Sequence, residues 1–156
     1  MPVILADTTV LNNFAQIRRP DLLRRAFPRL VAPSVVLKEL SAGERLGVVP
    51  SCDWSWVKTT ELTKVEQSRR TELRRDLQAG EAACIAVAEI RGGLVLTDDA
   101  DARRLAAALK VEISGTIGVL IKLVRREILT LEQGDRLLAE MIARGYRSPV
   151  RSLREI

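Results

Sequence analysis

Three aspartates within four residues, Asp98, Asp99 and Asp101, follow the apolar run Leu94-Val95-Leu96 and a single threonine, Thr97. Carboxylates at that density repel one another unless a cation or an arginine compensates. The arrangement recurs near the start of the chain, where Val3-Ile4-Leu5-Ala6 stops at Asp7-Thr8-Thr9. Each run is short, apolar and ended by an acid, so each reads as a buried strand of a parallel sheet. If both strands lie in one sheet, Asp7 and the 98–101 cluster emerge at the same end, where open α/β sheets build their sites. Two further acids are placed to close round them: Glu39, beside the apolar stripe of Val36 and Leu40, and Glu81, at the start of an otherwise apolar helix. Such a cluster suits Mg²⁺ or Mn²⁺, a hard cation that makes a nucleophile of bound water and offsets charge on a phosphate. Each acid also has an ordinary role. Asp7 and one of the later aspartates suit helix caps, Glu81 suits a helix first turn, and Glu39 suits a solvated face.

The rest of the composition narrows the chemistry. There is no histidine, which removes Ser-His-Asp and Cys-His catalysis and histidine-ligated metals. Cys52 and Cys84 are the only cysteines, too few for a zinc cluster or a disulfide framework. Carboxylates must carry any catalysis. Net charge is +5, from 25 Lys and Arg against 20 Asp and Glu, and arginines come in pairs such as Arg18-Arg19, Arg74-Arg75, Arg103-Arg104 and Arg125-Arg126. Guanidinium suits bidentate phosphate contacts, although paired arginines also decorate solvated helix faces. Aromatic residues make up only 3%, too few for a base-stacking platform. No apolar run approaches the ~18 residues of a membrane span, and no signal peptide is visible, so a cytoplasmic protein is expected.

A length of 156 residues fits one domain, expected over 1–150 with a C-terminal tail at 151–156. The spacing predicts strands at 3–6, 30–32, 94–96 and 111–113, and an extended segment within 51–59. Helices are expected near 9–17, 20–27, 34–41, 63–78, 81–90, 101–109, 116–125 and 131–144. In the 63–78 helix Val65, Leu73 and Leu77 are the apolar positions, and the segment reads as a half-exposed arm or a partner-binding helix. The alternation of strand and helix gives an α/β fold, three-layer α/β/α around a central parallel sheet.

Five stretches in this order resemble the PIN-domain proteins, the VapC-type toxin nucleases among them, and especially a compact group of PIN nucleic-acid-binding proteins. They are Val3 to Leu11, Ala32 to Leu40, Gly80-Glu81-Ala82-Ala83-Cys84-Ile85-Ala86, Leu96 to Arg103 and Ser114 to Leu120. The resemblance implies a divalent-metal ribonuclease acting on RNA. It puts the family's first three acids on Asp7, Glu39 and Glu81 and the fourth on Asp98 or Asp99, with Asp101 an outside candidate. Metal ligands are then expected among Asp7, Glu81, Asp98 and Asp99, and Thr8 or Thr9 matches the hydroxyl residue that follows the first aspartate. The resemblance further implies a homodimer and an antitoxin protein as partner. One departure stands out: many toxin members carry aspartate where this chain has Glu81, one methylene longer. That departure supports an alternative, a non-catalytic PIN-like module that binds RNA or protein. Receiver domains and aspartate-nucleophile phosphatases fit poorly. The acidic pair lies on a late strand rather than the first, and Thr9 stands where a phosphatase has its second aspartate.

Overall fold

A computed structural model describes residues 2–156. Five strands form one parallel sheet: β1 (Val3–Ala6), β2 (Val31–Pro33), β3 (Lys58–Thr60), β4 (Gly93–Leu96) and β5 (Glu112–Ser114), in the order β3-β2-β1-β4-β5. The eight helices are α1 (Thr8–Gln16), α2 (Pro20–Ala26), α3 (Ser34–Arg45), α4 (Lys64–Leu73), α5 (Ala79–Arg91), α6 (Ala100–Ala108), α7 (Thr116–Arg125) and α8 (Leu131–Ala143). Helices α1, α2, α3, α7 and α8 pack among themselves, as do α4, α5 and α6, and α3 also packs against α5, where Gly80 meets Val36 and Glu39. Right-handed crossovers from leftward and rightward steps in the sheet set the two groups on opposite faces. The result is the expected three-layer α/β/α sandwich. Among the described residues no helix is long and apolar enough to cross a membrane.

The central pair of strands sets the site. β1 and β4 run in register from Val3 opposite Gly93 to Ala6 opposite Leu96. The residues that follow, Asp7 and Thr97, therefore leave the sheet side by side. The ladder extends by one bond at each exit: Asp7 N–H donates to Leu96 O (3.0 Å) and Thr97 N–H to Ser114 O (2.9 Å). Above these strands α5 is buried almost all round, from Ala82 to Ala88, which its run of small and apolar residues allows.

Several boundaries differ from the sequence reading. α3 continues past Ser41 to Arg45 because Gly43 sits against Val49: a Cβ at position 43 would lie 2.6 Å from Val49 Cγ2. The glycine there serves close packing within a helix, not a stop. Within 51–59 only the last residues extend, and β3 pairs with β2 as Lys58 opposite Val31.

The 63–78 helix ends at Leu73, followed by a turn. It is no free arm, since α4 packs along α5. Its inward face also differs: Val65 is exposed and Glu66 is buried. Glu66 forms a reciprocal cap with Thr63 and accepts two bonds from Arg91, Nε at 2.7 Å and Nη2 at 2.8 Å. At the other end of the chain, residues 151–156 do not trail away. Asp135 accepts from Ser152 Oγ (3.0 Å) and Leu153 N–H (2.7 Å), and Leu153 is buried.

Candidate active site

Asp7 is only 1% exposed. It caps α1 by accepting from Thr9 N–H (3.0 Å) and Val10 N–H (3.4 Å) at Oδ1, which also accepts from the Thr9 hydroxyl. The Thr97 hydroxyl donates to Oδ2. Thus the capping and site readings of Asp7 coincide in one side chain. Burial pushes its pKa from an ordinary 3.8 up to about 6; the hydroxyl and N–H donors oppose that rise and the nearby charge of Asp98 adds to it.

Glu39 reaches the same edge from α3 and accepts from Thr8 Oγ1 at 2.8 Å. Opposite it, Gly80 in the first turn of α5 leaves room. A Cβ there would stand 3.1 Å and 3.2 Å from the two Glu39 oxygens. Glu81 follows immediately and turns Oε2 onto Gln78 N–H (2.9 Å), closing a reciprocal cap on α5. Its pKa is pushed up to about 7, first by burial, then by the charges of Asp99, Asp7 and Glu39. Thr8, Thr9, Glu39, Gln78, Glu81 and the guanidinium-bearing Arg74 line a cavity of about 360 Å³ at this edge.

The three later aspartates part company. Asp98 turns to the start of α7: Oδ1 accepts from Thr116 N–H (2.8 Å), and Oδ2 accepts from Asn13 Nδ2 (2.8 Å) and from the Thr116 hydroxyl. Asp99 caps α6 through Ala102 N–H (2.8 Å) and is the first of the charges that act on Glu81. Asp101 lies on the surface, paired with Arg104. Asp7, Glu39, Glu81 and Asp99 therefore share one edge, while Asp98 ties β4 to α1 and α7.

Of the residues that orient these acids, sequence reasoning named Thr8 and Thr9 and passed over Thr97, Asn13 and Thr116. Thr97 joins Asp7 and also accepts the Asp99 N–H (3.1 Å), and Thr9 accepts the Asp98 N–H at 2.9 Å. Asn13, only 7% exposed, was a buried amide on an apolar helix face, a visible signal for a polar role. Thr116 and Gly80 carried no signal beyond their place in the quoted motifs.

The donor set is all oxygen, as a hard divalent cation requires. None of the four carboxylates at the edge is in an ion pair with lysine or arginine among the described residues. No three acidic side chains among the described residues already stand at ligating distance from a common point. The cap that holds Glu81 on Gln78 accounts for one carboxylate being turned aside. The chemistry of the donors fits the ion.

The pattern of the family DUF3368, a PIN domain, matches residues 3–156. No curated protein matches the chain. Among solved structures it is similar to PAE2754 from Pyrobaculum aerophilum. The identity is 22%, the match covers 80% of this chain and 90% of that one, and the TM-score is 0.55, a likeness of fold. PIN domains have a nuclease-type fold, are generally nucleases and typically use divalent metals. With its carboxylates gathered at the end of a five-stranded parallel sheet and residues 3–156 matched, the chain belongs to the PIN-domain family.

Proposed function

We propose that this protein is a divalent-metal-dependent endoribonuclease whose acids are Asp7, Glu39, Glu81 and Asp99. The observation that carries the reading is Asp7: a carboxylate almost fully buried, without a cationic partner, with the charges of Asp98 and Glu81 close by. A buried carboxylate left without a counter-charge is costly, and a bound cation removes that cost. When bound, Mg²⁺ or Mn²⁺ supplies Lewis acidity toward the phosphate and a nucleophile from water. Thr9 and Thr97 fix the orientation of Asp7 from two sides, and Thr8 holds Glu39. Asp98 acts as a positioning residue: by holding the start of α7 and Asn13 it fixes the turn from which Asp99 projects.

A mixed pool of structured RNAs, incubated with Mn²⁺, Mg²⁺ or EDTA, tests this reading. Cleavage is expected with either metal and none with EDTA. Asp99→Asn should remove it, whereas Asp98→Asn should leave measurable cleavage and a lower melting temperature. Cleavage in EDTA, or equal cleavage by wild type and Asp99→Asn, would overturn the assignment.

One observation favours a second reading, a non-catalytic PIN-like module: Glu81 is engaged with its own helix end. That reading predicts no metal-induced rise in melting temperature, where the nuclease reading predicts one by mass action. A toxin role, with an antitoxin partner and a homodimer, rests on the family resemblance alone.

A further inference from the structure

A second concavity, of about 530 Å³, lies beside the acidic edge, lined in part by Arg103, Ile117, Ile121, Tyr146, Arg147 and Asp98. Asp98 lines this groove, and the next residue, Asp99, acts on Glu81 in the first cavity, so the end of β4 lies between the two hollows. Each contains arginine outside any ion pair: Arg74 in the first, Arg103 and Arg147 in the second. Arg103 Nη1 donates to Thr97 O at 3.3 Å, which holds its guanidinium over the strand end. Asp98 already caps the start of α7, so the arginines, not the helix end, are the groove's anion-binding groups. The opposite wall is branched aliphatic, from Ile113, Ile117 and Ile121.

A polyanion approaching four carboxylates needs cations on both sides of them, and unpaired arginines supply that. Tyr146 and the planar guanidinium groups of the same groove suit the flat face of a base beside a phosphate, which favours a nucleotide over a free anion. We propose that a single RNA strand crosses the carboxyl end of the sheet, with a phosphate held by Arg74 on one side of the acids and an adjoining nucleotide seated in the groove of Arg103 and Arg147 on the other. This rests on the ribonuclease reading above and adds the path of its substrate. Duplex RNA does not present a separated base to such a groove; a single strand does.

The test is binding of a short fluorescent single-stranded RNA to the full chain in EDTA, read by anisotropy at several salt concentrations. Arg74→Ala and Arg147→Ala, both at exposed positions, should each raise Kd about three- to tenfold and lower the salt slope by about 1. Arg136→Ala, outside both hollows and paired with Glu132, is the charge-matched control and should change Kd less than twofold. The proposal falls if Arg74→Ala and Arg147→Ala bind RNA as the control does. It falls equally if Arg147→Ala leaves RNA binding intact but releases a protein that co-purifies with the wild type. Metal-dependent cleavage retained at full rate by both arginine variants would sink the path and leave the ribonuclease reading standing. Arginine-dependent RNA binding without cleavage in either metal would do the reverse.

Discussion

Two carboxylates in this fold expose equally little surface and have opposite surroundings: Glu66 lies near the surface beneath Arg91, and Asp7 lies deep at the end of the sheet. Glu66 and Asp7 are each only 1% exposed. Glu66 lies on α4 against a bidentate Arg91, which also bonds Thr60 Oγ1 and Glu61 O, and the guanidinium holds its carboxyl below the usual range. Asp7 accepts only from hydroxyls and N–H groups, with the charges of Asp98 and Glu81 close by, and burial raises its pKa. An acid needed only for architecture comes with its own cation. One left without a cation, near further acids, is the acid on which the proposed metal site rests. Burial alone does not make a site; the missing partner does.

The sharpest way to break the contrast is Asp7→Asn. Metal-dependent RNA cleavage should fall by at least ~10²-fold. The melting temperature at pH 7.5 in EDTA should stay level or rise, because a neutral amide keeps the cap geometry and removes an unfavourable buried charge. On the same logic, ionised Asp7 costs the metal-free fold on the order of 2–3 kcal/mol. A large drop in melting temperature would mean that Asp7, like Glu66, is held for architecture.

The matching experiment on the other acid is Arg91→Met, which leaves Glu66 buried and unpaired. A loss of ~2–3 kcal/mol is expected, at the low end for such pairs because Arg91 is itself 30% exposed. The melting temperature should drop by roughly 4–10 °C. Glu66→Gln combined with Arg91→Met should recover most of it, and the metal-induced rise in melting temperature should survive in both.

Acid titration separates the two carboxylates by sign. Raised pKa values, about 6 for Asp7 and about 7 for Glu81, mean that the protonated forms favour folding. Their contribution is complete below the ordinary values of 3.8 and 4.5 and is lost as pH rises through about 6 and 7. In EDTA, the contribution of these two acids to stability should therefore decline from about pH 4 to about pH 7. Glu66, with its pKa lowered, contributes stability above its ordinary 4.5 that is lost only as pH falls below that. Saturating Mg²⁺ should reverse the decline, since the ion competes with the protons. A flat profile in EDTA would contradict the raised values.

The smallest change expected is from Thr97→Val. It deletes a donor to Asp7 and an acceptor for the Asp99 N–H, costing about 1–2 kcal/mol. The EDTA stability profile should shift to higher pH as Asp7 loses a group that favours its ionised form.

Much of the edge was legible because strands write themselves in the sequence as apolar runs with abrupt ends. Val3 to Ala6 and Leu94 to Leu96 placed Asp7 and the later aspartates on one edge before any coordinates. What separates Asp98 from Asp99 was not legible, because adjacent residues in a strand exit point to opposite sides and the sequence does not say which side faces α5. Glu66 was missed for a related reason. Helical periodicity selects apolar residues as inward, so Val65 was preferred, although Thr63 and Glu66 stand at the spacing of a reciprocal cap. Arg91, the residue that makes that burial tolerable, lies 25 positions away. The length of α3 failed on Gly43, whose packing against Val49 depends on a loop that no local rule describes.

The bonds that orient the acids join distant parts of the chain: Asp7 to Thr97 across 90 residues, Thr9 to Asp98 across 89 and Asn13 to Thr116 across 103. Contacts of such span close late in folding, after the local helices. A chain whose first ninety residues alone have formed holds Asp7 as a helix cap and nothing more, for Thr97 and Asp99 have yet to arrive beside it. The proposed site is thus withheld until the whole sheet has closed, so a half-made or half-unfolded molecule does not carry it.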